Sequence, residues 1–375
     1  MPTDLLCDLI RIPSVSRDSN VAVAERCVES LSRLGFQIER LPYTDAYGVE
    51  KLNIAAVRPG RARRTGGFAY FGHTDVVPAS EWTGPGGPFD PAICDGRIYG
   101  RGSVDMKGSI AAMLEACGRV SGSGEPVYLI LTADEEAGMA GADEVVARSE
   151  VFRDIVAGQP HAVIGEPTGG QVVNGHKGVA IFDVVADGSA GHSATREGDS
   201  ATLRLMAALS PLRQLADELE TDARWHDPRF EPPTARMNVL LSDAAPAINI
   251  TSERASARIL VRVAPAFDVA RFGERLSAIC GRFGLRLERT ESRPPMFRPG
   301  DSDAVAAFLT VAGGRPATVP YGTDGCCFGE VERLVVLGPG SILQAHTSDE
   351  FISVSNYESG IDLYTRCITK FAGSS

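Results

Sequence analysis

Histidine and acidic residues that could bind a metal ion recur along this 375-residue chain in similar surroundings. Most of them directly follow short hydrophobic runs of the kind that form buried strands. The candidates are His73, Asp105, the pair Glu135 and Glu136, Glu166, and His346. In open α/β sheets, ligands bind beyond the carboxyl ends of the strands. The repeated placement therefore predicts one cleft lined with imidazole and carboxylate groups.

This set of side chains contains no cysteine, which favours a catalytic metal site over a structural one. Structural zinc usually recruits thiolates, whereas catalytic zinc keeps an open position and binds histidine with aspartate or glutamate. Five ligands exceed the need of one ion, and a shared carboxylate could bridge two ions about 3.5–4 Å apart. Of Glu135 and Glu136, one could bind metal while the other serves as general base. Asp75 is placed to accept the second N–H of His73.

Each candidate taken singly also has an ordinary structural interpretation. His73 could be a hydrogen-bonded structural histidine, and the Glu135–Glu136 pair could belong to a solvated loop. Asp105 could cap the helix that is predicted to begin at Lys107, because aspartate is a favoured N-cap residue. The joint pattern at successive strand ends favours the metal site.

Composition and charge exclude several other classes of protein. A chain of this length is expected to form two domains, because single cores rarely grow beyond about 250–300 residues. A net charge of −11 argues against a nucleic-acid-binding protein. No hydrophobic stretch approaches about 18 residues, so no membrane span is expected. The basic run Arg61–Arg64, between glycine and proline residues, predicts a solvated turn.

The eight cysteines show no regular spacing and no CxxC pair. Together with an N-terminus that lacks the features of a signal peptide, this predicts reduced thiols and a cytoplasmic protein. The adjacent Cys326 and Cys327 are expected to contribute to packing rather than to form a disulfide.

Helix and strand patterns alternate through the first half of the chain, which predicts an α/β catalytic domain with a mixed, largely parallel sheet flanked by helices. Helices are expected after the N-caps Thr3 and Asn20. Near Lys177 the pattern changes to that of a small α+β domain of the ferredoxin-like kind, inserted into the first. The predicted limits are 1–176 and 292–375 for the catalytic domain and 177–291 for the insertion.

Six segments, taken together, carry a family resemblance. They are Gly72–Asp75, Asp105–Gly108, Thr132–Glu136, Gly165–Thr168, Gly191–Ala194 and Ala345–His346. In this order and at this spacing they resemble the di-zinc aminoacylase and deacetylase metallopeptidases, the family that contains acetylornithine deacetylase and succinyl-diaminopimelate desuccinylase. The resemblance spans essentially the whole chain.

The resemblance assigns roles to the candidate residues. It implies two divalent metal ions, Zn²⁺ with Co²⁺ able to substitute. One ion would be bound by His73, Asp105 and Glu166, and the other by Asp105, Glu136 and His346. Asp105 would bridge the two, Glu135 would be the general base, and Asp75 would orient His73.

The inserted domain resembles the family's dimerisation or lid domain, which implies a homodimer. His192 would reach the partner subunit's active site and polarise the scissile carbonyl, although it could also be an ordinary turn histidine. Asn249 and Arg262 match positions that bind the substrate's carboxylate, although Arg262 could equally be an edge-strand charge. Gly322 and Thr323 lie in a loop that resembles the substrate loop of the desuccinylases.

The expected activity is removal of an N-acyl group from an amino acid. Three segments, Ala137–Ala142, His176–Gly178 and Leu337–Ser341, resemble the acetylornithine deacetylase branch and favour N-acetylornithine. N-succinyl-diaminopimelate is the alternative substrate, and a di-metal peptidase of the same clan is the alternative enzyme. A catalytically silent relative that only binds amino acids would be expected to have lost a ligand or the base, and all are present.

Overall fold

The computed structural model describes residues 3–60, 66–120, 122, 124–195 and 198–373. The chain divides into two compact units: unit 1 is Met1–Gly175, Arg298–Ala317 and Thr323–Ser375, and unit 2 is His176–Phe297 and Thr318–Gly322. The predicted insertion ended earlier, at residue 291. The chain stays longer in unit 2 because its last long strand pairs as far as Arg293. The basic run Arg61–Arg64 lies outside the described residues.

The elements are numbered in chain order. The helices are α1 (Asp4–Arg11), α2 (Val21–Arg33), α3 (Lys107–Arg119), α4 (Ala140–Arg148), α5 (Glu150–Gly158), α6 (Ala201–Thr221), α7 (Val269–Phe283), α8 (Asp303–Ala312) and α9 (Val354–Ala372). The strands are β1 (Gln37–Thr44), β2 (Glu50–Arg58), β3 (Phe68–His73), β4 (Ala92–Cys94), β5 (Arg97–Tyr99), β6 (Val127–Thr132), β7 (His161–Ile164), β8 (Val173–His176), β9 (Gly178–Asp187), β10 (Arg236–Asp243), β11 (Arg254–Val263), β12 (Arg286–Arg293), β13 (Met296–Phe297), β14 (Ala317–Val319), β15 (Leu334–Val336) and β16 (Phe351–Ser353).

The main sheet of unit 1 has the strand order β1-β2-β6-β3-β7-β15-β8. Its four central strands, β6, β3, β7 and β15, are parallel to one another. The flanking strands β1, β2 and β8 pair antiparallel with their neighbours. The sheet is therefore mixed, as expected, and its parallel part is the centre. Strands β4, β5 and β16 form a separate small sheet.

Every residue of β3 and β6 is buried, which is typical of strands covered on both faces. Tyr70 of β3 contacts Tyr364 of α9 on one face of the sheet. The next residue, Phe71, points to the opposite face and packs against Phe328, which also contacts Phe152 of α5. Helices thus cover both faces of the sheet.

Helices α1 and α2 begin where predicted, but the expected side-chain caps are wrong. Neither Thr3 nor Asn20 caps its helix through a side-chain hydrogen bond. The Asn20 amide instead donates to the Leu52 carbonyl and to Thr74, and its oxygen accepts from the Leu52 N–H. Asn20 therefore ties α2 to strand β2.

Unit 2 follows the order β9-α6-β10-β11-α7-β12, and its antiparallel sheet has the strand order β10-β11-β9-β12. This is the ferredoxin-like arrangement that was expected. Alternate residues of β9, such as Phe182 and Val184, are buried in a core shared with α6 and α7. Across the described parts of both units, no helix is long and apolar enough to cross a membrane.

Candidate metal centre

The predicted ligands of unit 1 lie at one edge of its sheet. His73 is the last residue of β3 and pairs with Thr132, the last residue of β6. The turn that follows β6 carries Glu135 and Glu136, and Glu166 comes two residues after β7. Because these parallel strands are neighbours, their carboxyl ends bring the side chains together.

Two groups of three ligands share the carboxylate of Asp105. His73 Nε2 lies 3.1 Å from Asp105 Oδ1 and 3.5 Å from Glu166 Oε1. His346 Nε2 lies 3.3 Å from the other oxygen, Asp105 Oδ2, and 2.9 Å from Glu136 Oε1. Within each group the ligand atoms lie within 4.8 Å of one another. These imidazole and carboxylate donors suit a divalent ion such as Zn²⁺.

The histidines and carboxylates of this cluster shift one another's pKa values. Hydrogen bonds to Asp105 and Glu136 raise the pKa of His346 to about 10. Burial lowers the pKa of His73, but bonds to Asp105 and Glu166 outweigh burial and raise it well above the usual value. Burial and the negative Asp105 raise the pKa of Glu166 to about 7. A cluster that needs this much compensating positive charge is suited to divalent cations, which would replace the protons.

Glu135 lies beside the ligands in an environment suited to a general base. It forms a third close group with His73 and Glu136. Burial raises the pKa of the Glu135 carboxyl well above its usual range; His73 opposes this shift, and the negative Glu166 and Asp324 add to it. A carboxylate with a raised pKa accepts a proton more readily near neutral pH.

Asp75 is close to His73, but the expected hydrogen bond between the His73 ring and the Asp75 carboxylate is not formed. The Nδ1 atom of His73 lies 3.0 Å from the backbone oxygen of Asp75 and 3.7 Å from its carboxylate. The carboxylate instead accepts hydrogen bonds from the Ser16 hydroxyl at 2.6 Å and from the N–H groups of Glu135 and Glu136 at 3.2 and 3.3 Å. Asp75 therefore holds the turn that carries both glutamates.

A second acidic residue fixes the start of this turn. Asp134 has a φ of 59°, in the left-handed region that residues other than glycine rarely adopt. Its carboxylate accepts hydrogen bonds at 2.7 Å from the buried Lys51 ammonium and at 2.7 Å from the Tyr43 hydroxyl. Sequence analysis missed this network because its donors come from strands β1 and β2, far away in the chain.

The buried Glu350 holds the loop that carries Asp105. One of its oxygens accepts from the N–H groups of Val104 and Asp105 at 2.9 and 3.1 Å, and the other binds the Arg101 guanidinium at 2.6 Å and the Gly102 N–H at 3.1 Å. Sequence analysis missed Glu350 because nothing in the local pattern separates it from its exposed neighbour Asp349.

In unit 2, His192 and Asn249 lie in adjoining segments. The Asn249 carbonyl accepts from the N–H of Ser193 at 3.0 Å, and both predicted residues are exposed. The N–H of Ala194 donates to His192 Nδ1 at 3.1 Å, so a neutral His192 ring carries its proton on Nε2. The ring can thus donate a hydrogen bond from its outer nitrogen.

Arg262 also belongs to unit 2, on strand β11. Because β11 lies between β10 and β9, the alternative of an edge-strand charge is wrong. A Cβ atom at Gly322 would lie 3.5 Å from the Arg262 guanidinium, which places these two predicted residues together. Thr323 belongs to unit 1, where its buried hydroxyl accepts from the N–H of Gly325 at 3.0 Å.

We predict that Glu350→Gln lowers the free energy of unfolding by about 3–5 kcal/mol, because the buried Arg101 guanidinium loses its counter-charge. Urea unfolding of the metal-free protein measures the change. Asp349→Asn removes an exposed carboxylate from the neighbouring position and should stay within about 0.5 kcal/mol of the parent. Equal stability of the two variants would contradict the role of Glu350.

Comparison with known proteins agrees with this geometry. Residues 69–370 match the sequence profile of peptidase family M20/M25/M40. An acetylornithine deacetylase of Proteus mirabilis is 32% identical over 389 residues, covering 99% of this chain and 97% of that protein. Another from Myxococcus xanthus is 30% identical, covering 98% and 97%.

Solved structures share the fold at lower sequence identity. The metallo-carboxypeptidase Sso-CP2 of Sulfolobus solfataricus superposes with a TM-score of 0.75 at 20% identity, covering 98% of each chain. The family resemblance seen in the sequence is thus confirmed: the chain belongs to peptidase family M20/M25/M40.

Proposed function

We propose that this protein is a metal-dependent amidohydrolase that converts N-acetylornithine to ornithine and acetate. The observation that carries the proposal is the pair of ligand groups sharing Asp105, with Glu135 beside them. The choice of substrate is supported by relatives named acetylornithine deacetylase, about 30% identical over nearly the full chain.

We further propose two divalent ions per chain, Zn²⁺ in the native enzyme with Co²⁺ able to substitute. His73, Asp105 and Glu166 would hold one ion, and Asp105, Glu136 and His346 the other. The family includes a Bacillus subtilis protein, YXEP, described as a dinuclear metal-binding peptidase, which supports this stoichiometry. When bound, such ions would lower the pKa of the attacking water and polarise the acyl carbonyl.

Side chains of the protein perform the proton transfer, stabilise the developing charge and position the general base. Glu135 takes the proton of the attacking water and delivers it to the leaving nitrogen, a role that its raised pKa supports. His192 donates its Nε2–H to the acyl oxygen as negative charge develops there. Asp75 and Asp134 keep Glu135 in place through the backbone bonds and network described above.

Arg262 and Asn249 would bind the carboxylate of the amino acid, because the planar guanidinium suits bidentate recognition. Gly322 and Thr323 would contact the substrate beside Arg262. Their loop resembles that of the desuccinylases and favours a second candidate, hydrolysis of N-succinyl-diaminopimelate. Peptide hydrolysis by the same metal centre is the third possibility, since the family includes carboxypeptidases.

We propose that unit 2 also forms a homodimer interface and that His192 enters the partner subunit's metal centre. An edge strand is a ready surface for pairing with another chain. Strand β10 is one of the two edge strands of the sheet and exposes Leu240 and Leu241, while α6 exposes Leu203 and Met206.

The cysteines form no disulfide, which supports the proposed cytoplasmic location.

The substrate is tested by parallel assays of N-acetylornithine, N-succinyl-diaminopimelate, other acetylated amino acids and a dipeptide. N-acetylornithine should have the highest kcat/KM. Prolonged chelation should abolish its hydrolysis, and Zn²⁺ or Co²⁺ should restore it. Full activity in protein that elemental analysis shows to be free of metal would contradict the proposal.

The roles of the adjacent glutamates can be separated. Glu135→Gln should lower kcat by about 10²–10⁴-fold, the usual contribution of a general base, while the metal content stays unchanged. Glu136→Gln should instead reduce the metal content, because it removes a ligand. The reverse pattern would show that the base and the ligand are wrongly assigned.

Mixed dimers test the proposed role of His192 in the partner subunit. Dimers of His192→Ala alone and of Glu135→Ala alone should both be nearly inactive. Co-expressed heterodimers, purified through two different affinity tags, should regain up to half of the parent activity, because one site then has both intact residues. Heterodimers as inactive as either parent would exclude action of His192 across the interface.

A further inference from the structure

Three sulfur atoms from two segments of unit 1 lie together, and the proposed reaction uses none of them. The Cys326 thiol lies 3.1 Å from the thioether sulfur of Met139. The Cys327 thiol lies 3.7 Å from that of Cys326. Cys326 is buried, whereas Cys327 and Met139 are half-buried.

Met139 belongs to the turn that carries the two active-site glutamates. Its backbone N–H donates to the Asp134 carbonyl at 2.6 Å, and its φ of 67° lies in the left-handed region. A long side chain is uncommon in this conformation. Here it directs the thioether towards Cys326.

The two cysteines belong to a second segment that is tied to the same strand end. They follow Asp324, whose carbonyl accepts from the Cys327 N–H at 2.9 Å. The Asp324 carboxylate accepts from the hydroxyl of Thr132, the last residue of β6, at 2.6 Å. The sulfur atoms therefore connect two segments that are both anchored beside the metal centre.

Thiolate and thioether ligands select soft cations such as Cu(I), whereas carboxylates and imidazoles suit Zn²⁺. We propose that Cys326, Cys327 and Met139 form a second metal site, which takes a soft, thiophilic cation. Each thiol that coordinates the ion releases its proton to solvent, and no group changes its oxidation state.

Copper(I) is the probe that tests this site. Zinc-loaded enzyme is titrated anaerobically with Cu(I) in competition with a chromophoric Cu(I) chelator, and the zinc content is measured at each point. The expected result is one tightly bound Cu(I) per chain with full retention of zinc. Displacement of zinc in step with copper uptake would place copper at the histidine and carboxylate ligands and overturn the proposal.

Single substitutions locate the ligands. Cys326→Ser and Cys327→Ser should each weaken Cu(I) binding by at least about 100-fold. Substitution of residues that only hydrogen-bond to metal ligands typically weakens metal binding by about 10–100-fold. Met139→Leu keeps an apolar side chain of similar size but removes the thioether sulfur, and it should weaken binding by at least about tenfold. The matched control is Cys94→Ser, which removes another half-buried thiol and should change nothing.

Unchanged Cu(I) affinity in the two serine variants would overturn the proposal, and so would loss of binding in Cys94→Ser. If the serine variants do not fold, the Cu(I) affinity of Met139→Leu tests the proposal. An affinity equal to that of the parent enzyme would exclude the three-sulfur site. Copper binding is measured directly, so a failure here is distinguishable from a failure of the proposed deacetylase activity.

Discussion

The rest of the site depends on the contacts that the Asp105 carboxylate makes with two histidines. Its two oxygens face different histidines, His73 at 3.1 Å and His346 at 3.3 Å. A single buried carboxylate therefore belongs to both ligand groups, and the remaining acids gather around it. Burying so many acidic groups is unfavourable unless positive charge lies among them. Such a cluster is consistent with a function that requires cations.

Several acids near the site stabilise backbone rather than bind metal. Glu350 accepts the N–H groups that precede α3, and Asp75 accepts those of Glu135 and Glu136. Asp134 is held in a left-handed conformation by Lys51 and Tyr43. Each of these bonds fixes a loop whose side chains must point into the cleft. The parallel strands bring the loops to one edge, and these buried acids determine how each loop is held there.

The strand ends could be predicted from the sequence because buried parallel strands are continuous apolar runs, and His73 and Glu166 follow such runs. Asp105 and His346 were expected in the same cleft, although neither directly follows a strand in the structure. The sharing of Asp105 between two ligand groups was implied by the family resemblance. Glu350 and Lys51 could not be found, because their partners lie at distant positions whose proximity only folding creates. The sequence pattern also could not show that the backbone carbonyl of Asp75, rather than its carboxylate, lies within hydrogen-bonding distance of His73.

The shared carboxylate is tested most directly by a crystal structure of the zinc-loaded enzyme with anomalous data collected at the zinc edge. Two anomalous peaks about 3.5–4 Å apart are expected in each chain. Each peak should lie within about 2.0–2.2 Å of a carboxylate oxygen of Asp105. A single peak, or two peaks of which only one contacts Asp105, would contradict the bridging role.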